Sequence, residues 1–286
     1  MKKAICLGLV LIMLMSFCAC GNGQETKETG VDTMLPKDKS YSVLFIGNSY
    51  TFYNDMPTAY FQPMATACGY DVKVTTITKG AYTLEKFADP GDVYGGIVAN
   101  ALSGSTHYDY VIIQEQSARP AVNTPAFYDG VRALVSRIRE IGAQPVLYAT
   151  WGRKDGSDKL TEYGMTSEEM TWKLAAAYDA IAEELDIPVA HAGIAFRQVY
   201  TQSKIELYNS DKSHPSPVGS YLAAMTLFCE ILGANPVELS LTGPVSGEED
   251  ALIRTAVYSV TVETPEIPDA FKTVSSGVTV ATEPQS

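Results

Sequence analysis

Val43-Leu44-Phe45-Ile46-Gly47-Asn48-Ser49-Tyr50-Thr51 is the stretch that decides the fold. Four successive large apolar residues, with no alternate polar side chain to show to water, read as a strand buried on both faces. Gly47 and Asn48 end it, and both suit a tight turn. Ser49 therefore stands where the chain leaves the carboxyl end of a buried strand.

Comparable β-rich runs occupy residues 42–46, 72–77, 110–114, 145–150 and 188–190, and longer segments of helical period lie between them. That alternation is the signature of a parallel sheet covered by helices. Thr124-Pro125 opens one helix, with Phe127, Val131, Leu134, Val135 and Ile138 on one face and Gly142 beyond its end. Thr166 and Glu169 have capping-box spacing ahead of a helix to Leu185. Ser216-Pro217 starts another, whose Val218, Tyr221, Leu222, Met225, Cys229 and Leu232 form an apolar stripe before Gly233. Weaker helical signals cover 57–68, 93–102 and 248–262.

Right-handed crossovers make these elements a doubly wound α/β sheet, in which ligands bind outside the carboxyl ends of the strands. Three polar stretches follow strands at that edge: Gly47-Asn48-Ser49, Lys79-Gly80 and Gln114-Glu115-Gln116-Ser117. A fourth, Asp211-Lys212-Ser213-His214, lies in a loop running into the helix at Ser216. A serine hydroxyl is a weak nucleophile and needs an adjacent base. An imidazole supplies it, and a carboxylate three residues earlier folds back to orient the ring. Each motif alone is ordinary, a turn with its cap and a solvated loop. Together, in this order at one sheet edge, they are the residue set of a serine hydrolase. His107 and His191 are expected to be structural, and Trp151 suits either a packing place or a platform for a sugar ring.

Lys2 and Lys3, an apolar run over 4–15 and small residues before Cys20-Gly21 form a secretory signal, too short to span a membrane. Phe17-Cys18-Ala19-Cys20-Gly21 resembles a bacterial lipoprotein processing site, which implies that residues 1–19 are removed and Cys20 is lipidated. Residues 20–40 are polar and charged and read as a flexible tether. Residues 41–262 are expected to form one domain, and 263–286 an extended or disordered tail. A formal net charge of -12 argues against nucleic acid or an anionic lipid surface as partner. Cys68 and Cys229 are expected as two separate thiols, a bridge being the alternative. No Cys or His spacing matches a metal site.

These blocks resemble the SGNH (GDSL-type) hydrolase superfamily over most of residues 41–233. Residues 45–51 stand where that family has its Gly-Asp-Ser nucleophile block, with Asn48 for Asp; Gly80 matches the isolated glycine of the second block; residues 211–215 match Asp-x-x-His. The third block departs, since Gln114-Glu115-Gln116-Ser117 replaces Gly-x-Asn-Asp and resembles a Gln-containing subset. The resemblance implies a three-layer, flavodoxin-like parallel sheet of five strands. It implies Ser49 as nucleophile, His214 as base and Asp211 as orienter. The oxyanion would be held by the backbone N–H groups of Ser49 and Gly80 and by the amide of Gln114, preferred over Gln116. No metal or organic cofactor is implied. The activity expected is that of an exported, lipid-anchored esterase removing O-acyl groups, with carbohydrate O-acetyl esters favoured. The rivals are a non-catalytic glycan-binding lipoprotein on the same fold and a lipase or thioesterase.

Overall fold

The chain runs through five strands: β1 (Ser40–Gly47), β2 (Asp71–Thr78), β3 (Tyr110–Ile113), β4 (Gln144–Tyr148) and β5 (Val189–Ala190), all parallel, in the order β2-β1-β3-β4-β5. This computed structural model describes residues 34–272, which fall in one compact unit. The secretory signal, the lipidation at Cys20 and most of the expected tether lie outside the described residues, as do residues 273–286 of the tail.

Alternation along β1 explains why it reads as uniformly apolar. Val43 and Phe45 enter one core, Leu44 and Ile46 the other, so both faces are covered. Between β1 and β2 lie the single-turn α1 (Ser49–Phe52), a short 3₁₀ turn, a π-helical segment (Met56–Phe61) and α2 (Gln62–Ala67). Then come α3 (Leu84–Ala88) and α4 (Val93–Ala101) before β3, and α5 (Arg119–Val122) and α6 (Thr124–Glu140) before β4. Helices α7 (Asp158–Tyr163) and α8 (Ser167–Leu185) lead to β5, followed by α9 (Ala192–Gln202), α10 (Pro217–Leu232), α11 (Glu248–Thr261) and α12 (Asp269–Lys272). Residues from α3, α4 and α6 pack with Leu44 and Ile46, whereas those from the 56–67 segment, α9, α10 and α11 pack with Val43 and Phe45. Helix α8 contributes to both cores.

The capping box at Thr166 and Glu169 forms, and Ser216 caps α10 by accepting from Gly219 N–H at 3.1 Å. Helix α10 is buried nearly all round rather than along one stripe, because α9, α11 and the π-helical segment enclose it. Its expected polar side is filled by small residues, Ser220, Ala223 and Thr226. Helix α9 carried no start signal in the sequence: His191 precedes it without a side-chain cap. What admits α9 is Gly193, where an added Cβ would lie 2.2 Å from the Thr150 carbonyl oxygen.

Two expectations at the ends need correction. The tether does not run to residue 40: Met34 and Leu35 pack against the core, and Leu35 N–H donates to the Leu232 carbonyl at 3.2 Å. These apolar residues find a seat beside the end of α10. At the other end, Ile267 is buried in the core and Asp269–Lys272 form one helical turn. Cys68 and Cys229 are free thiols, the second buried.

Candidate active site

Strand order β2-β1-β3 means that the chain leaves β1 first to one side and then crosses to the other, so the switch point lies at the carboxyl end of β1. Ser49 sits there, first residue of α1. The turn before it is tight enough to require Gly47: a Cβ would stand 2.3 Å from Thr51 Oγ1 and 2.8 Å from Gln114 Oε1. Asn48 is buried, and its Oδ1 caps the Tyr50 N–H at 3.2 Å while its Nδ2 donates to the Tyr82 carbonyl at 3.1 Å. That second bond is the physical reason for Asn here, since an aspartate would turn a lone pair toward that carbonyl.

The loop before α10 delivers the other groups. Asp211 Oδ1 accepts from Ser213 N–H at 3.0 Å and His214 N–H at 2.9 Å, folding the loop back on itself, with Lys212 at φ 58° making the bend. The carboxylate's other oxygen, Oδ2, then meets His214 Nδ1 at 2.5 Å, and His214 Nε2 lies 2.8 Å from Ser49 Oγ. Burial pushes the Asp211 carboxyl up, but the His214 ring and the two backbone N–H groups outweigh it and hold the carboxyl below its ordinary range. The imidazole is fixed from both sides: Tyr53 stacks on it at 4.5 Å, and Tyr50 meets it edge-on at 5.6 Å. Asn54, at φ 55°, donates to the Pro215 carbonyl and to Ser220 Oγ, both at 2.9 Å, and so ties the α1 side to the histidine loop.

Trp151 is fully buried, sandwiched between Tyr50 at 5.0 Å and Phe196 at 4.2 Å, and its Nε1 donates to the Ser213 carbonyl at 3.1 Å. It braces the histidine loop and offers no face to a sugar. His107 lies beside Asp109, and His191 is buried against Asp179 at 2.7 Å. Sequence proximity did not reveal this carboxylate partner, because it lies on α8.

The expected oxyanion donor is a correction. Gln114 is fully buried: its Oε1 accepts from Asn48 N–H at 2.9 Å and Thr51 Oγ1 at 2.8 Å, and its Nε2 donates to the Glu115 carbonyl. Both ends of the amide are engaged in bracing the turn under Ser49: the oxygen takes two donors, and one N–H of the fully buried NH₂ group is spent on the Glu115 carbonyl. Gln116 is the reverse case. Its Oε1 accepts from Ala118 N–H at 3.0 Å and Arg119 N–H at 3.1 Å, which anchors the amide, while no described residue accepts from its Nε2. Gly80 follows β2 in the turn closed by Tyr82 N–H on the Lys79 carbonyl, and its own N–H has no acceptor among the described residues. Ser49, Gly80 and Gln116 thus bring to the ends of three neighbouring strands three N–H donors with no acceptor among the described residues.

Glu115 links two of these loops. It is fully buried, and its Oε1 accepts from Gln116 N–H at 2.6 Å and Leu84 N–H at 3.1 Å, while Oε2 has no hydrogen-bond partner among the described residues. Burial pushes this carboxyl up to about 7, against the pull of those two N–H groups. The folded state therefore holds the proton more tightly than the unfolded one. The contribution of Glu115 to stability is complete below about pH 4.5 and is lost as pH rises toward 7. Glu230, also pushed up to about 7 by burial, acts in the same window, so the test is a difference. Between pH 5 and 8, wild type should lose up to about 3 kcal/mol more stability in urea titrations than Glu115→Gln. Parallel curves would contradict this.

A hydroxyl, an imidazole and a carboxylate in series, at the carboxyl edge of a doubly wound sheet, form the arrangement by which serine hydrolases activate their nucleophile. No protein-family model and no curated protein matches the chain. Among solved structures, a protein from Slackia heliotrinireducens assigned to the SGNH hydrolases is 33% identical, with a TM-score of 0.59, over 66% of this chain and 98% of that one. A DUF4886 family protein from Bacteroides uniformis is 18% identical with a TM-score of 0.69, covering 81% of this chain and 98% of that one. The aryl esterase of M. smegmatis, 14% identical at a TM-score of 0.50 over 67% of this chain and 98% of its own, shares the fold. At one third identity over nearly the whole of the first protein, the family is plain: this chain belongs to the SGNH hydrolases.

Proposed function

We propose that the protein is an exported esterase that removes short O-acyl groups, O-acetyl above all, from carbohydrate, and that it is held at the bacterial membrane through a lipidated Cys20. The observation that carries the catalytic part is the continuous series Asp211 Oδ2–His214 Nδ1 at 2.5 Å and His214 Nε2–Ser49 Oγ at 2.8 Å. In this mechanism His214 takes the Ser49 proton as Oγ attacks the ester carbonyl, and Asp211 holds the ring in the productive tautomer. The tetrahedral oxyanion is met by the N–H groups of Ser49 and Gly80 and by Gln116 Nε2. Collapse expels the alcohol, which takes the proton from His214, and leaves an acyl-Ser49 that water cleaves by the same steps in reverse.

The polar character of the cavity beside Asp211 supports a short acyl group and a hydroxyl-rich alcohol, since it is lined by Arg153, Ser157, Lys159, Ser210 and Lys212 rather than by apolar side chains. Export and lipidation rest on the sequence of residues 1–21. The protein should release acetate from acetylated xylan, and its kcat/KM on 4-nitrophenyl esters should fall by at least roughly tenfold from acetyl to octanoyl. A preference for octanoyl would make it a lipase.

The donor assignment has its own test. Gln116→Ala should lower kcat by about 100- to 1000-fold, the cost of one oxyanion donor, with the melting temperature nearly kept. Gln114→Ala should instead lower the melting temperature, because it leaves Asn48 N–H and the Thr51 hydroxyl buried and unpaired. The opposite pattern would return the donor role to Gln114.

A further inference from the structure

The loop after β4 brings to the edge of the site a cation that no described carboxylate neutralises. Arg153 is half-buried; its Nε is buried without a hydrogen-bond partner among the described residues, and its Nη2 reaches Ser117 Oγ only at 3.4 Å. No described acid lies within ion-pair distance of it. Arg197, half-buried like Arg153, holds Glu168 at 2.9 Å, and the more deeply buried Arg254 and Arg119 hold Asp250 and Glu85; Arg137, whose Nη1 is also buried without a partner among the described residues, lies on α6 and lines no part of this cavity. A guanidinium withdrawn from water without a counter-charge is costly unless something else supplies one.

The surroundings of Arg153 indicate what that is. It lines a cavity of about 410 Å³ with Ser157, Lys159, Ser210, Asp211 and Lys212. One wall is the carboxylate loop of the catalytic series. Through Ser117, Arg153 also touches the residue next to Gln116. Most of the charges here are already engaged. Asp211 is taken up by His214 and two backbone N–H groups, and Lys159 by Glu162 at 2.6 Å. Lys212 donates only to the Gly156 carbonyl, at 2.6 Å, and so adds a second cation without a carboxylate. Asp158 is exposed at the rim, where water screens it.

We propose that this cavity binds a carboxylate carried by the ester substrate itself, with Arg153 as the specificity-determining residue. The substrate class is then an O-acylated acidic compound such as a uronate sugar. The planar fork of a guanidinium matches a carboxylate with two parallel bonds, which an ammonium does not offer. In a chain whose net charge is -12, such a local cation also selects against the general repulsion of anionic substrates.

The proposal rests on the esterase activity proposed above, and its test separates the two. With the full-length protein, kcat/KM is measured on 4-acetoxybenzoate and its neutral methyl ester, which places the carboxylate on the alcohol side. The same is done with 4-nitrophenyl hydrogen succinate and its methyl ester, which places it on the acyl side. In one of the two pairs the charged ester should be preferred by about tenfold or more, the worth of one charge-assisted hydrogen bond. That pair identifies which part of the substrate the cavity holds. Arg153→Gln should bring the ratio to near one, and Arg153→Lys should restore part of it. A ratio near or below one in both pairs for wild type, with the neutral esters still cleaved in a Ser49-dependent way, overturns this inference alone. An equal loss on charged and neutral esters in Arg153→Gln also overturns it, since that is what a packing role would give. Failure to cleave any of the four esters would overturn the esterase proposal and this one with it.

Discussion

Ser49→Ala should lower kcat/KM on 4-nitrophenyl acetate by roughly 10⁵-fold or more, leaving only what the oxyanion donors and binding supply. The size follows from what remains. Without Oγ there is no acyl-enzyme, and His214 Nε2 loses the group that it contacts at 2.8 Å. The fold has no reason to change, because Ser49 lies at a helix start whose cap comes from Asn48 and whose brace comes from Gln114. The melting temperature should stay within a degree or two of wild type, so that loss of rate is not loss of protein. Residual activity within tenfold of wild type would mean that the ester is attacked by something other than Ser49.

Asp211→Asn should cost about 10⁴-fold in kcat with little change in KM, and the reason lies in how this loop is folded. Asp211 Oδ1 is held by the N–H groups of Ser213 and His214. An asparagine must place its carbonyl oxygen there, since an NH₂ facing two donors would leave all three unpaired. Its amide then points at His214 Nδ1 as a donor. The ring must accept at Nδ1 and carry its proton on Nε2, the tautomer that has no lone pair for the Ser49 hydroxyl. The geometry survives and the chemistry does not. A loss under tenfold would show that the ring reaches its working tautomer without Asp211.

The strands and this motif were legible because the signals are local. An unbroken apolar run as short as 43–46, closed by Gly47 and Asn48, reads as a doubly buried strand, and a gap of three residues suits a carboxylate folding back to its own histidine. Ser49 and His214, 165 positions apart, could be joined only through the topology, yet the doubly wound sheet fixes the edge at which both emerge.

What the sequence hid depends on long-range neighbours. Gln114 and Gln116 both follow a strand. Which amide faces inward is decided by the Asn48 N–H in the turn after β1 and the Thr51 hydroxyl on α1, and that contact claimed Gln114. Trp151 became a brace because Tyr50 and Phe196 close on both its faces. The isolation of Arg153 was illegible for the same reason: a missing partner shows only when every neighbour is in place. Tyr53, stacked on the imidazole, had no signal beyond being an aromatic four residues after the serine.

The central claim is that His214 activates Ser49, and covalent labelling tests it most directly. After treatment of the full-length protein with a fluorophosphonate, peptide mass spectrometry should find one phosphonyl adduct, on Ser49. Its rate of formation should fall by about a thousandfold in His214→Ala. An adduct on a different residue, or labelling of Ser49 at the same rate without the imidazole, would contradict it.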